Sequence, residues 1–207
     1  MKNQGIKAIM FDYGGVITKG DVPGEISGML EREYSLQAGT VFPAFRKFYK
    51  EAKVGKMNDA LFWRAFLEEA DIPFSEKEKV KNKFLEMPAG QVKKEMLDYV
   101  MKLKKNYFTM MLTNNIEFWF EHDREKLNLD NYFDDIFTSY EIGMKKPDLE
   151  SYNFVIKHFG FEPKEYIFTD DHLVNVLAAR EAGMNAYQFK GLEQLKTDFG
   201  TLGVKTE

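Results

Sequence analysis

Met10-Phe11-Asp12-Tyr13-Gly14-Gly15-Val16-Ile17-Thr18 is the stretch on which the reading of this chain turns. An apolar run from Ala8 to Phe11 stops at a carboxylate, two glycines follow, and β-branched residues return. A short continuous apolar run bounded by turn signals reads as a strand buried on both faces. Open α/β sheets carry their chemistry just beyond the carboxyl ends of such strands, where a ligand can reach Asp12. Gly14 and Gly15 allow positive φ and close approach of backbone to that ligand. Taken alone, Asp12 equally suits a residue that only opens a tight turn.

Outside this stretch, composition narrows the choices. The 207 residues suffice for a sizeable core, as one large domain or a domain with an insert. Hydrophobic residues at 44% and charged residues at 30% are ordinary for a globular protein. A net charge of −4 argues against a nucleic-acid partner, which calls for a basic excess. The absence of cysteine excludes disulfides and thiolate metal sites and fits a reducing, cytoplasmic setting. Met1-Lys2-Asn3-Gln4-Gly5 carries no secretory apolar segment, and no run approaches the ~20 apolar residues of a membrane helix, so no membrane partner is expected.

After Thr18 the periodicity is helical as far as Gly90. Ile26, Met29 and Leu30 mark a first helix, Phe42, Phe45, Phe48, Tyr49 and Ala52 a second, and Leu61, Phe62, Ala65, Phe66 and Ala70 a third. Asn58 or Asp59 caps the third, and Ser75-Glu76-Lys77-Glu78 has the spacing of a capping box for a fourth. An all-helical insert of this kind forms a lid over the sheet. Its aromatic residues suit core packing better than a ligand box. Arg46, Lys47, Lys50, Trp63 and Arg64 are its candidate ligand contacts.

From Gln91 strands and helices alternate. Helices are expected over Gln91–Lys104, Ile116–Lys126, Leu149–Phe159 and Val174–Ala182. Strands are expected over Tyr107–Leu112, Ile136–Thr138, Tyr166–Thr169 and Ala186–Phe189. That alternation implies a parallel sheet with helices on both faces and right-handed crossovers. The expected fold class is therefore α/β, with a Rossmann-like core over 1–18 and 91–207 and a helical cap over 19–90.

The strand ends collect polar residues. Asp12 ends the first strand, Thr113-Asn114 the second, and Asp170-Asp171 the fourth, with Asn175 a helical turn later; Lys145-Lys146-Pro147-Asp148 follows the third. Each has an ordinary explanation as a cap, turn or solvated loop. Together they supply a nucleophile, hydroxyl and amide donors, a cation and a carboxylate pair.

This ordered set resembles the haloacid dehalogenase-like hydrolase superfamily. Phe11 to Val16 is similar to its first motif, Thr113-Asn114 to its second, Gly143 to Asp148 with Tyr152 to its third, and Phe168 to Asp171 with Asn175 to its fourth. The resemblance implies a Mg²⁺-dependent phosphatase of a small phosphorylated metabolite, with a sugar phosphate as one candidate. In that reading Asp12 attacks phosphorus and forms an aspartyl-phosphate. Mg²⁺ binds the Asp12 carboxylate, the Gly14 carbonyl and Asp171, with Asp170 and Asn175 supporting. Thr113 and the Asn114 N–H hold phosphoryl oxygens, and Lys146, directly before the proline, neutralises charge.

One position departs from the family pattern. Its phosphatases usually carry a second Asp two residues after the nucleophile, as general acid and base, and here that residue is Gly14. The metal site tolerates this, because its ligand there is a carbonyl, but the leaving group loses its usual proton donor. A phosphomutase is thereby disfavoured, and a substrate with a good leaving group suits the site. The alternatives are a metal-independent 2-haloacid dehalogenase, against which the Asp170-Asp171 pair argues, and a binding or regulatory protein with little turnover.

Overall fold

The computed structural model describes residues 5–20, 22–89 and 91–205. The expectation drawn from residues 1–4, and the edges of the helical stretch at Asp21 and Gly90, lie outside the described residues. Five parallel strands form one sheet: β1 (Ala8–Phe11), β2 (Phe108–Thr113), β3 (Asp135–Thr138), β4 (Tyr166–Asp170) and β5 (Asn185–Gln188). Their order is β3-β2-β1-β4-β5, which puts β1 at the centre.

All four residues of β1 are fully buried because helices cover both faces. Ile9 and Phe11 point to one side. There they meet Met96, Val100 and Leu103 of α5 (Lys94–Leu103), Phe120 of α6 (Glu117–Leu127), and Leu195 and Phe199 of α10 (Leu192–Thr201). Ala8 and Met10 point to the other side. Their neighbours are Tyr152 and Val155 of α8 (Leu149–Phe159) and Val176 and Ala179 of α9 (Leu173–Glu181). This two-sided burial removes the polar alternation that a half-exposed strand would show. Between β3 and α8 lies a single turn of helix, α7 (Ser139–Ile142).

Four helices intervene between β1 and α5: α1 (Val22–Glu33), α2 (Val41–Ala52), α3 (Asp59–Glu69) and α4 (Lys77–Ala89). They bury their own aromatic cluster, in which Phe45, Phe62, Trp63, Phe66 and Phe84 pack against one another, with Ile116 and Trp119 closing it from the sheet side. Asn58 caps α3, accepting from the Leu61 N–H at 3.0 Å. The capping box expected at Ser75 does not form: Phe74–Glu76 is a 3₁₀ turn without a side-chain cap bond, and α4 starts at Lys77.

The helix expected from Gln91 begins three residues later. Val92 instead pairs antiparallel with Thr18, and the Lys93 N–H donates to the Ile17 carbonyl at 2.8 Å. Backbone pairing across the two connecting segments has taken these residues out of the helix. α10 was not expected from the sequence. No described helix is long and apolar enough to cross a membrane.

Candidate active site

Register places Asp12. Phe11 lies opposite Met111 of β2 and Thr169 of β4, and one residue on the Asp12 N–H donates to the Thr169 carbonyl at 2.9 Å. Asp12 thus leaves the sheet at the carboxyl end of its central strand. The ends of β2 and β4 and the loops after β1 and β3 converge there on a cavity of about 360 Å³. Of the residues singled out by sequence, Asp12, Gly14, Thr113, Asn114, Lys146, Asp171 and Asn175 line it. Asp170 lies behind the wall, fully buried.

Lys146 ties the cluster together. Its buried ammonium sits 2.8 Å from Asp12 Oδ1 and donates to Asp170 Oδ2 at 2.6 Å. The main chain that presents it is clamped by Asn114, whose Oδ1 accepts the Lys146 N–H at 2.9 Å while its Nδ2 donates to the Lys146 carbonyl at 2.8 Å. The Lys146–Pro147 peptide is cis. Lys145 pairs instead with Asp148 at the surface, at 2.7 Å, which separates the roles of the two adjacent lysines.

The two aspartates after β4 also separate. Both oxygens of Asp170 are engaged, by Lys146, by Asn175 Nδ2 at 2.9 and 3.0 Å, and by the His172 N–H at 2.8 Å. Asp171 is partly exposed, and its carboxylate pairs with the His172 ring, at 2.7 Å. Asp170, Asp171 and His172 offer ligand atoms within 4.8 Å of one another, but the first is already saturated. Asp171 faces the turn after β1 so closely that a Cβ at Gly15 would fall 2.2 Å from its Oδ2.

Charge follows from this packing. Burial pushes the Asp12 carboxyl up to about 7, the Lys146 ammonium acting against the rise and Asp170 adding to it. Burial likewise opposes the charge on Lys146, but the two carboxylates outweigh it and hold the ammonium above its ordinary value. Asp170 is buried too, yet Lys146 and its donors keep it below the usual carboxylate range. The hydrogen bond that its ring donates to the Asp171 carboxylate holds His172 above its ordinary value. Asp12 Oδ1 accepts from the Tyr13 N–H and Lys146, while Oδ2 makes no hydrogen bond among the described residues.

Several wall residues were not among the site residues expected from the sequence. Tyr49 of α2 reaches across and donates to the Asn114 carbonyl at 3.0 Å. Tyr13, Trp119 and Asp123 form another part of the wall, with the Tyr13 hydroxyl donating to Asp123 Oδ2 at 2.8 Å. The expected contacts of the helical insert lie elsewhere. Trp63 is fully buried in the aromatic cluster, Lys47 pairs with Glu69, Arg46 stacks on Phe42, and Arg64 lines a separate depression with Glu68, Ile72 and Phe74; Lys50 is exposed and outside the cavity wall. A helical face reveals which side is apolar, not which residue stands above a distant strand end. Of the three histidines only His172 borders the cavity, exposed at the start of α9.

Comparison with known proteins places this geometry. Residues 6–183 match the family model of the haloacid dehalogenase-like hydrolases. D-ribitol-5-phosphate phosphatase of Bacteroides thetaiotaomicron is 28% identical over 193 residues, covering 88% of this chain and 91% of that protein. A solved haloacid dehalogenase-family enzyme of the same organism superposes with a TM-score of 0.74 at 23% identity, over 94% of this chain and 98% of that one. An L-2-haloacid dehalogenase of Xanthobacter autotrophicus superposes with a TM-score of 0.64 at 17% identity, over 97% and 84%. The family match spans both the strand carrying Asp12 and the loops that close around it, and the chain is a haloacid dehalogenase-like hydrolase.

Proposed function

We propose that this chain is a Mg²⁺-dependent phosphatase of a small phosphorylated metabolite, a sugar or polyol phosphate, working through an aspartyl-phosphate at Asp12. The observation that carries it is the Lys146 ammonium bridging Asp12 and Asp170 at the carboxyl ends of β1 and β4. A relative that is similar along nearly its whole length is a D-ribitol-5-phosphate phosphatase, and a solved structure sharing the fold is a complex with magnesium and inorganic phosphate. The division into a core over 1–18 and 91–207 and a cap over 19–90 belongs to the same reading. The separate aromatic cluster of α1–α4 supports it.

The donors fit the metal. Asp12 Oδ2, the Gly14 carbonyl and the Asp171 carboxylate are oxygens, as a hard divalent cation requires, and the first two make no hydrogen bond among the described residues. Held by these three oxygens, Mg²⁺ would offset the negative charge of the phosphoryl oxygens.

The residues then divide the work. An Asp12 oxygen forms a bond to phosphorus while the ester P–O bond breaks and its electron pair leaves with the alkoxide, which takes a proton from solvent water. Water next attacks the aspartyl-phosphate, frees inorganic phosphate and restores the carboxylate. Thr113 and the Asn114 N–H hold phosphoryl oxygens, and Lys146 offsets the charge that gathers between Asp12 and the phosphoryl group. Asp170, anchored by Asn175, keeps Lys146 charged and in place.

Phosphate release from a panel of phosphorylated metabolites, with Mg²⁺ and with chelator, tests the proposal. Asp12→Asn should lower kcat by ~10³-fold or more with an unchanged melting temperature. Near-wild-type turnover in the folded variant would remove the covalent step. Chelator-insensitive turnover of a 2-haloacid would replace the phosphatase reading with dehalogenation.

A further inference from the structure

Asp123 is fully buried on α6, yet its carboxylate is only half satisfied. Oδ2 accepts from the Tyr13 hydroxyl, and Oδ1 has no hydrogen-bond partner among the described residues. No salt bridge reaches it among the described residues. Asp170 shows how the same fold treats another buried carboxylate: Lys146, Asn175 and a backbone N–H saturate both oxygens. A buried acceptor left unpaired in a native fold calls for an explanation, and carboxylates are the costliest acceptors to leave so.

Its position supplies one. Asp123 borders the same cavity as Asp12, next to Tyr13, the residue that follows the nucleophile, and to Trp119 one helical turn earlier. Of the other polar groups on the wall, Lys146, Thr113 and Asn114 are cationic or donors suited to a phosphoryl group, and the Asp171 carboxylate is taken up by the metal in the proposed reading. A carboxylate repels phosphate and accepts from hydroxyls, so it suits the other end of an ester.

We infer that Asp123 binds the leaving group, its unpaired Oδ1 accepting a hydrogen bond from a hydroxyl of a polyhydroxylated phosphate ester. The inference rests on the phosphatase reading and narrows it, because it selects polyol and sugar phosphates over phosphates of plain alkyl chains. Trp119 lines the same cavity and would offer an apolar surface to the carbon skeleton.

A matched pair of substrates tests it. D-Ribitol 5-phosphate and n-pentyl phosphate share a five-carbon chain and a primary phosphate and differ in hydroxyls alone. With Mg²⁺, the wild type should favour the ribitol ester in kcat/KM by about 10-fold or more, the range expected of a hydrogen bond to a charged group. Asp123→Asn keeps an oxygen for the Tyr13 hydroxyl and should cut that preference by about 10-fold, chiefly through KM for the ribitol ester. Equal losses on both esters would make Asp123 a structural residue and overturn the inference, as would an unchanged preference. Should Asp123→Asn fail to fold, Asp123→Ser and the wild-type ratio carry the test, and a wild type that hydrolyses both esters within about 3-fold overturns it. Turnover of neither ester, nor of p-nitrophenyl phosphate, overturns the phosphatase reading itself and the inference with it.

Discussion

A carboxylic acid at position 14 has room that a side chain at position 15 lacks. A Cβ on Gly14 meets nothing within 4 Å, and its φ is outside the left-handed region. Gly15 has φ +74° and abuts the Asp171 carboxylate. The two glycines therefore do different things: the second is required by the turn and its neighbour, whereas the first leaves open the position where the family usually carries its second Asp. Gly14→Asp should fold and should speed hydrolysis of alkyl phosphates, by up to the ~10²–10⁴-fold a positioned general acid contributes. An aryl phosphate, whose leaving group needs little protonation, should gain far less. Parallel kinetics on the two ester classes decide it, and equal gains would mean that the new carboxyl acts on something other than the leaving group. At the same scale, Asp171→Ala should weaken Mg²⁺ binding by about tenfold or more in calorimetry while Asp170→Ala should instead disturb Lys146. Unchanged affinity in Asp171→Ala would take the ligand role from that residue. Asp12 and Asp171 were legible because each follows a strand end in a recognisable local pattern, and Lys146 because it directly precedes Pro147 in the segment after β3. Asp123 was not, because an acid flanked by Glu121, Arg124 and Glu125 in the sequence reads as solvated, although Trp119 and Phe120 at i−4 and i−3 share its buried face.

At the scale of elements, α2 matters for one hydroxyl. Tyr49 is the residue through which α2 donates to the loop after β2, at the Asn114 carbonyl. Burial, with Asp12 nearby, pushes its phenol well above the ordinary value, so it stays a donor at any working pH. Asn114 also clamps the Lys146 main chain, so the contact joins the insert to the cation of the site. Tyr49→Phe removes one net hydrogen bond, worth ~0.5–1.5 kcal/mol, from the docked arrangement. KM for a phosphate ester should rise about 2- to 10-fold while the melting temperature moves little. An unchanged KM would make the contact incidental to substrate binding. None of this was legible in Phe42, Phe45, Phe48 and Tyr49, whose spacing showed only an amphipathic helix. Local periodicity recovered α2, α8 and β4 nearly to the residue because each is bounded by its own signal, such as Gly160 at φ +70° after α8. It failed at α5, where a backbone bridge between segments far apart in sequence claims Val92.

Across the whole molecule, the buried carboxylates pull stability in opposite directions as pH changes. Asp170 is held below its ordinary value, so its contribution is present at neutral pH and is lost on acidification. Asp123 behaves the other way. Burial raises it from 3.8 to about 6, against the Tyr13 hydroxyl, which lowers it. The folded chain therefore holds a proton there that the unfolded chain has already released between these two values. Stability from Asp123 is full below pH ~4 and declines as pH rises to about 6; at ~1.4 kcal/mol per pH unit the decline is about 3 kcal/mol. Asn does not titrate and still offers an oxygen to Tyr13. Asp123→Asn should therefore gain about 2–3 kcal/mol on the wild type between pH 4 and pH 7, read from urea unfolding of both metal-free proteins at each pH. Taking the difference between the two proteins removes the contributions of Asp12 and Asp170, which neither hydrogen-bond nor pair with Asp123. A gap that stays constant with pH would show that Asp123 titrates alike in the folded and unfolded chains. A gap that widens as expected identifies a side chain that costs the fold stability at neutral pH and whose replacement relieves it. That is the pattern of a residue kept for what it binds, since selection for stability alone would have replaced it.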